Sequence, residues 1–212
     1  MTAKPSLEFF YDCSSPWTYF AFTRIIPIME RLSLPIRWRP ILVGGVFNAV
    51  NQEVYTAREA MFSGSSSPRL DYYIKDLEDW AQLCGVRAEM PKGHPISSVK
   101  AMRGAFYAET KGLLVPYSRA VFEAYWGSES PNIADDEVLS GICVRVGLNP
   151  DGFLSAIAEV QYKDLLRQNT DELIARGGYG SPTLFINGDD MYFGNDRLEL
   201  VEYRLKQRLD MQ

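Results

Sequence analysis

The chain has 212 residues, which allows one large domain or one domain that carries an insertion. Hydrophobic residues make up 46% and charged residues 23%, a composition that supports a buried core and excludes a disordered chain or a fibrous repeat. The 22 basic and 27 acidic side chains give a net charge of −5, so the chain as a whole has no charge bias toward nucleic acid.

Reactive side chains are few. The sequence contains one histidine, His94, and three widely separated cysteines at positions 13, 84 and 143. Without a Cys-x-x-Cys pair, zinc-ribbon and dithiol redox sites lose their main signature, and one histidine leaves little material for a metal cluster or a Ser-His-Asp triad. No secretory leader and no apolar run of 18 residues is seen, which predicts a soluble, cytoplasmic protein of a reducing compartment, without a membrane partner.

The N-terminal region predicts a strand, a helix and a second strand. An apolar run at residues 7–11 indicates the first strand. Ser15 is suited to cap a helix, and Pro16 to occupy its first position. Residues 35–43 alternate in a way that predicts the second strand, ended by the glycine pair 44–45. A β-α-β unit favours parallel pairing of its strands.

The middle of the chain, residues 46–176, shows helical periodicity and no convincing strand pattern. The predicted helices cover residues 70–84, 98–111, 116–126, 134–146, 151–157 and 164–175. After them, residues 183–187 and 191–194 predict a hairpin around Asn187-Gly188. Asn195 or Asp196 is placed to cap a final helix over 197–209.

The two ends of the chain need each other to complete one sheet. The sequence therefore predicts an α/β domain made of residues 1–45 and 177–212, with residues 46–176 as a large all-helical insertion.

Five segments in this order resemble one protein family. They are residues 10–19 (FYDCSSPWTY), 37–47 (RWRPILVGGVF), 101–105 (AMRGA), 180–183 (GSPT) and 193–198 (FGNDRL). They resemble the 2-hydroxychromene-2-carboxylate isomerases, which are close to the kappa-class glutathione transferases. The resemblance implies a thioredoxin-like fold of the DsbA type. Redox members of that fold carry Cys-Pro-x-Cys where this chain has Ser15-Pro16-Trp17-Thr18.

The resemblance also implies glutathione as cofactor, with Ser15 hydrogen-bonded to its sulfur. A thiolate is stabilised at a helix N-terminus, and this chain has no thiol of its own at positions 15–18. From the local pattern alone, Ser15 has a second interpretation as a helix cap without chemistry. Ser181-Pro182 resembles the cis-proline that exposes backbone to an extended peptide. The predicted glutathione-binding residues are Ser15, Asn51, Ser181, Pro182, Asn195 and Asp196, with Ser15 as the catalytic one.

Four functions stay open. The resemblance favours a glutathione-dependent isomerase of the 2-hydroxychromene-2-carboxylate type, with a small aromatic or electrophilic substrate and a homodimeric assembly. Glutathione transfer to an electrophile uses the same thiolate. A DsbA-like thiol–disulfide enzyme conflicts with Ser15 and Thr18, and a binding module without catalysis would keep only the pocket.

Three residues near these motifs have competing interpretations. Cys13, two residues before Ser15, is predicted to be a core thiol, with a redox-sensitive thiol as the alternative. Arg39 is interpreted either as a cation near the site that attracts a carboxylate or as a solvated strand-face residue. His94, between Gly93 and Pro95, is predicted to be a loop residue.

Overall fold

Four short strands form one mixed sheet in the computed structural model, which describes residues 4–54, 56 and 67–210. The order β2-β1-β3-β4 places the N-terminal strands beside the C-terminal hairpin. β1 and β2 are parallel, whereas β1–β3 and β3–β4 are antiparallel. The prediction that the two ends complete one sheet is confirmed. The strands are β1 (Leu7–Tyr11), β2 (Ile36–Pro40), β3 (Thr183–Ile186) and β4 (Asp190–Phe193).

Helices occupy most of the described chain between β2 and β3, as the periodicity predicts. The division into residues 1–45 with 177–212, and 46–176, stays a prediction, and its first boundary falls inside the second helix. The helices are α1 (Pro16–Leu32), α2 (Val43–Val50), α3 (Pro68–Cys84), α4 (Val99–Thr110), α5 (Leu114–Trp126), α6 (Asp136–Val146), α7 (Pro150–Ala158), α8 (Val160–Ala175) and α9 (Leu198–Asp210).

The prediction for the second strand is wrong at its C-terminal end. β2 stops at Pro40, and the glycine pair 44–45 lies in the first turn of α2 instead of ending the strand. The N–H of Val43 donates to the carboxylate of Asp12 at 2.9 Å, which satisfies one of the donors left unpaired at a helix start. This capping group comes from 31 residues upstream, so the local pattern does not reveal it.

The two faces of the sheet bury different groups because side chains alternate along a strand. Phe9 and Tyr11 belong to the large core that α1 and the helices of the middle region share. Phe10 points into a smaller core on the opposite face, with Val46 of α2 and Leu173 of α8. The end of β1 therefore lies between two layers of helices, and the chain after it leads directly into α1.

The C-terminal hairpin is confirmed, and the start of the last helix differs from the prediction. Asn187 and Gly188 both have positive φ, at 55° and 91°, in the turn between β3 and β4. After β4, residues Asn195–Arg197 form a 3-10 turn, and α9 begins at Leu198. The side chain of Asp196 pairs with Arg197 at 2.6 Å.

Candidate active site

Ser15 caps the helix that begins where β1 ends. It has extended backbone angles, and its Oγ accepts the N–H of Thr18 at 3.3 Å. Pro16 occupies the first helical position, where a missing N–H costs nothing. The predicted capping role is confirmed. The hydroxyl lies at the positive end of the α1 dipole.

The segment before β3 meets this helix start. Ser181-Pro182 is a cis peptide, as the family resemblance implies. The hydroxyl of Ser15 donates to the carbonyl of Ser181 at 3.2 Å, and the hydroxyls of Thr18 and Ser181 lie 2.8 Å apart. Both positions that hold cysteines in redox relatives thus contact the residue before the cis-proline.

A cavity of about 270 Å³ opens beside Ser15 and brings three predicted site residues together. Asn51, at the end of α2, lies on its rim and donates to the carbonyl of Tyr179 at 3.4 Å. The lining combines hydroxyl, amide and aromatic groups, which suits a peptide-like guest. The lining residues are Ser14, Ser15, Pro16, Trp17, Val43, Phe47, Asn51, Val54, Tyr73, Tyr179, Ser181 and Phe193.

Asn195 and Asp196 follow β4, one turn beyond the residues that line this cavity. The N–H of Gly194 donates to the carbonyl of Pro182 at 3.1 Å, which ties the turn to the cis-proline. Asn195 is buried and its carbonyl accepts from Arg24, whereas Asp196 is exposed. Asp196 is therefore the more accessible of the two for a ligand, and the glutathione role of both stays a prediction.

A second and larger cavity, of about 700 Å³, adjoins the first. The two share Ser14, Val43 and Phe47 in their walls. The rest of the larger cavity is formed by the start of α2 and by the loop between α3 and α4, residues 90–98. The two cavities therefore provide space for one molecule beside Ser15 and for a second molecule next to it.

Asp12 lines the larger cavity and is hydrogen-bonded to residues that line the smaller one, and sequence reasoning did not single it out. Its carboxylate accepts the N–H of Ser14 and of Val43 at 2.9 Å each, and the hydroxyl of Ser98 at 3.1 Å. Its own N–H donates to the hydroxyl of Ser181 at 3.0 Å. Burial raises the pKa of this carboxyl, against the effect of those hydrogen bonds. In the sequence, the signal that could have identified Asp12 is its position between a buried strand and the serine that caps the next helix.

The environment of Cys13 disfavours its thiolate form. It is 2% exposed, and burial together with the charge of Asp12 raises the pKa of its thiol well above the usual range. Because the thiolate is the reactive form of cysteine, this environment makes the side chain inert. The observation supports the interpretation of Cys13 as a core thiol.

Arg39 matches neither of its two predicted roles. Its guanidinium is almost fully buried and contacts Glu8 at 2.9 Å, Asn169 at 2.9 Å and Glu172. The group is therefore neither solvated nor available to a ligand carboxylate.

Within the ranges that the structure describes, no group of three or more His, Cys, Asp or Glu side chains is arranged to hold a metal ion. None of the helices there is long and apolar enough to cross a membrane. The smaller cavity presents hydroxyls, backbone groups and a helix start, which fit a guest that brings its own thiol.

Comparisons with known proteins agree with this geometry. A 2-hydroxychromene-2-carboxylate isomerase of Pseudomonas putida is 27% identical over 197 residues, covering 92% of each chain. The kappa 1 glutathione S-transferase of Rattus norvegicus is 26% identical over 95% of this chain and 91% of its own. A solved structure of a 2-hydroxychromene-2-carboxylate isomerase superposes with a TM-score of 0.78 at 26% identity, covering 97% of this chain and 98% of that one.

These similarities confirm the resemblance that the sequence motifs indicate. They span nearly the whole chain, so the thioredoxin-like sheet and the helices between β2 and β3 match together. The model of the DSBA-like thioredoxin domain matches residues 6–206. The chain therefore belongs to the family of DSBA-like thioredoxin domains.

Proposed function

We propose that the protein is a glutathione-dependent isomerase that acts on a small aromatic substrate of the 2-hydroxychromene-2-carboxylate type. The observation that carries the proposal is the helix-capping hydroxyl of Ser15 beside the cis peptide Ser181-Pro182, in the wall of a cavity that adjoins a larger one. The names of the relatives that match over nearly the whole chain support the same chemistry.

Ser15 would hold the sulfur of glutathione. When bound, glutathione supplies a thiolate that adds reversibly to a conjugated carbon of the substrate, so that the former double bond rotates before elimination. The hydroxyl of Ser15 turns from the carbonyl of Ser181 to donate to the sulfur. The N–H groups of the first turn of α1 favour the negative charge there, which lowers the pKa of the thiol.

The cis-proline segment would bind the backbone of the tripeptide. Ser181 lies in the wall of the smaller cavity, and its main chain would pair with an extended peptide there. Asn51 lines the same cavity, and Asp196 with Asn195 is assigned to the γ-glutamyl end. An exposed carboxylate such as that of Asp196 suits the ammonium group found there.

The larger cavity would hold the substrate. Apolar residues of α2 and of the loop 90–98 form much of its wall, which suits an aromatic ring.

We also propose a cytoplasmic location and a homodimer. Three cysteines without a disulfide partner support the cytoplasmic location, because disulfides are rare in reducing compartments. The family resemblance implies both the location and the homodimer.

The test is turnover of 2-hydroxychromene-2-carboxylate with and without glutathione, followed by the absorbance of the trans product. We expect product only when glutathione is present, and calorimetric binding of glutathione in the absence of substrate. Failure to bind glutathione would contradict the proposal.

Transfer of glutathione to an electrophile is the second candidate, favoured by the kappa-class relative that matches 95% of the chain. It differs only in the fate of the adduct. A stable conjugate with a model electrophile, together with no isomerisation, would decide for the transferase. Reduction of insulin disulfides would instead favour a thiol–disulfide enzyme.

A further inference from the structure

The two cavities of the candidate site contain little that would attract an anion. None of the described residues that line them is a lysine or an arginine, and the single histidine, His94, lies in the loop 90–98, as predicted. The proposed substrate class carries a carboxylate, and a carboxylate that leaves water needs a cation or hydrogen-bond donors. A lysine or arginine that pairs with it must therefore lie next to the larger cavity, outside this lining.

A third cavity, of about 460 Å³, adjoins the larger one and contains basic side chains. Leu42 and Gly45 belong to the walls of both cavities. The third cavity is lined by residues of α2, α4 and α8, among them Arg103 of α4 and Lys163 and Arg167 of α8. Cations are thus concentrated immediately beside the space proposed for the substrate.

Arg103 has a hydrogen-bond donor that the protein leaves unused. The residue is half-buried, and its Nε atom is shielded from solvent without a hydrogen-bond partner in the described part of the chain. A buried donor without a partner is costly, and more so in a charged group. A bound carboxylate would remove this cost, because the N–H groups of a guanidinium match the two oxygens of a carboxylate.

The other charged residues of the third cavity are less suited to this role. Lys163 and Arg167 are exposed, and Arg167 pairs with Asp164 at 3.1 Å. Asp171, which would repel an anion, is also exposed. Water and salt screen exposed charges, so these groups act more weakly on a ligand than the half-buried guanidinium of Arg103.

Arg103 lies one helical turn from the larger cavity. Val99, four residues earlier on α4, lines that cavity. Residues four apart share a helix face, with Cβ atoms about 5–6 Å from each other. The Cα–Cβ bonds of a helix tilt toward its N-terminus, which from Arg103 is the direction of Val99. A ligand that extends from the larger cavity past Leu42 and Gly45 would therefore meet this side chain.

We propose that Arg103 binds the carboxylate of the substrate and makes the protein select an acid. The inference rests on the substrate class of the proposed function and deepens it. The bicyclic ring would occupy the larger cavity, and its carboxylate would reach the guanidinium in the third one. The larger cavity shares one wall with the cavity of Ser15 and another with that of Arg103, and these two walls would set the direction of the bound substrate.

The deciding experiment measures the preference for an acid without any turnover. Chromone-2-carboxylate has the same bicyclic skeleton and the carboxylate but lacks the hemiketal, and chromone-2-carboxamide is its uncharged counterpart. Calorimetric titration without glutathione compares the two compounds in the wild type and in Arg103→Gln. We expect the wild type to bind the acid at least about tenfold more tightly than the amide, because hydrogen bonds between charged groups are strong. Arg103→Gln is expected to lose this preference.

Lys100→Gln is the matched control. Lys100 lies on the same helix, pairs with Asp136 at 2.8 Å and lines none of the three cavities. It should keep the preference for the acid, although it removes the same charge from the protein. Arg103→Lys, which keeps the charge but not the paired donors, should retain part of the preference. Thermal melting shows that each variant is folded, and a loss of packing alone would weaken the binding of acid and amide alike.

Three results would overturn the inference. They are absence of acid binding by the wild type, equal affinity of the wild type for acid and amide, and an unchanged preference in folded Arg103→Gln. A preference that survives in Arg103→Gln but is lost in His94→Gln would assign the carboxylate to the histidine of the larger cavity instead.

The assay with glutathione separates this inference from the proposed function. There we expect Arg103→Gln to raise KM for 2-hydroxychromene-2-carboxylate at least about tenfold, with a smaller change in kcat. If the wild type selects the acid through Arg103 but shows no glutathione-dependent isomerisation, the proposed function fails and the role of Arg103 stands. If isomerisation proceeds and the preference for the acid does not depend on Arg103, the role of Arg103 fails alone.

Discussion

The hydroxyl of Ser15 caps α1, and we propose that it also donates a hydrogen bond to the sulfur of the ligand. As a helix cap it accepts the N–H of Thr18, and its proton goes to the carbonyl of Ser181. Turning that proton toward a ligand sulfur leaves the cap intact, because the cap uses the oxygen only as an acceptor. A serine is therefore able to support a thiolate without loss of the helix start.

Replacement of Ser15 by alanine separates these two roles. We expect kcat for the isomerase reaction to fall at least about tenfold, because a charged sulfur loses one oriented hydrogen bond. Loss of the cap should cost about 1 kcal/mol of unfolding free energy. Steady-state kinetics and urea unfolding of the purified variant measure the two effects.

The chain contains a matched control for this variant. Ser67-Pro68 begins α3 with the same pair of residues, and Ser67 Oγ accepts the N–H of Leu70 at 3.3 Å. Ser67→Ala should cost a similar stability and leave kcat unchanged. An equal loss of kcat in both variants would assign the effect of Ser15→Ala to the helix cap, and unchanged kcat in Ser15→Ala would remove Ser15 from the mechanism.

At the scale of elements, the packing of α4 against its neighbours depends on Gly104. A Cβ placed on this residue would lie 2.2 Å from the ring of Phe153 in α7 and 2.5 Å from the hydroxyl of Tyr117 in α5. Both partners are almost fully buried, so neither has room to move. The glycine thus lets three helices of the middle region approach closely.

Gly104→Ala is accordingly expected to destabilise the protein by about 1–3 kcal/mol, the usual cost of overpacking a core. Gly141→Ala in α6 is the control, because its added Cβ would meet no atom within 4 Å beyond its chain neighbours and the backbone of its own helix. There the gain in helix propensity should stabilise by about 0.5–1 kcal/mol. Denaturant unfolding measures both, and a Gly104→Ala variant as stable as the wild type would show that the core relaxes around the methyl group.

Helix and strand boundaries could be predicted from sequence where their signals are local. Gly85 and Gly147 end α3 and α6 with positive φ, as helix-ending glycines do. The start of α2 could not be predicted, because the group that receives the N–H of Val43 is Asp12, which lies 31 residues upstream in the segment between β1 and α1.

In the candidate site, too, the features with local sequence signals could be predicted and the contacts between distant residues could not. The role of Ser15 as a helix cap is visible in the adjacent residues, and Ser181-Pro182 in a short motif. The contact between His94 and Tyr125 joins positions 31 residues apart, so it appears only after the chain has folded.

At the scale of the whole molecule, a partly buried network of ion pairs connects distant parts of the chain at one face of the sheet. Glu8 of β1 contacts Arg39 of β2 at 2.9 Å and Arg176, just after α8, at 2.7 Å. Glu172 of α8 contacts both arginines. Arg176 also lies over the ring of Phe185 in β3, 3.8 Å from its centroid. The network therefore joins the N-terminal strands, the last helix of the middle region and the C-terminal hairpin.

This network makes part of the stability depend on pH. Burial alone would raise the pKa of the Glu172 carboxyl, but hydrogen bonds and charges from Arg39 and Arg176 outweigh it and hold the pKa below its usual range. A carboxyl whose pKa is lower in the folded state stabilises the fold fully above its unfolded pKa of about 4.3. That contribution is lost as the pH falls through the lower, folded-state pKa.

Glu172→Gln should consequently lower Tm at pH 7, and the difference from the wild type should shrink as the pH falls below about 4. Thermal melts between neutral pH and pH 3 measure it, and Glu78→Gln, which removes an exposed carboxylate of α3, controls for the change in net charge. A Tm difference that stays constant across this range, or that grows toward low pH, would show that the network does not act through the charge of Glu172. If the difference shrinks as expected, the charge on α8 contributes to holding together the two halves of a sheet whose strands lie at opposite ends of the chain.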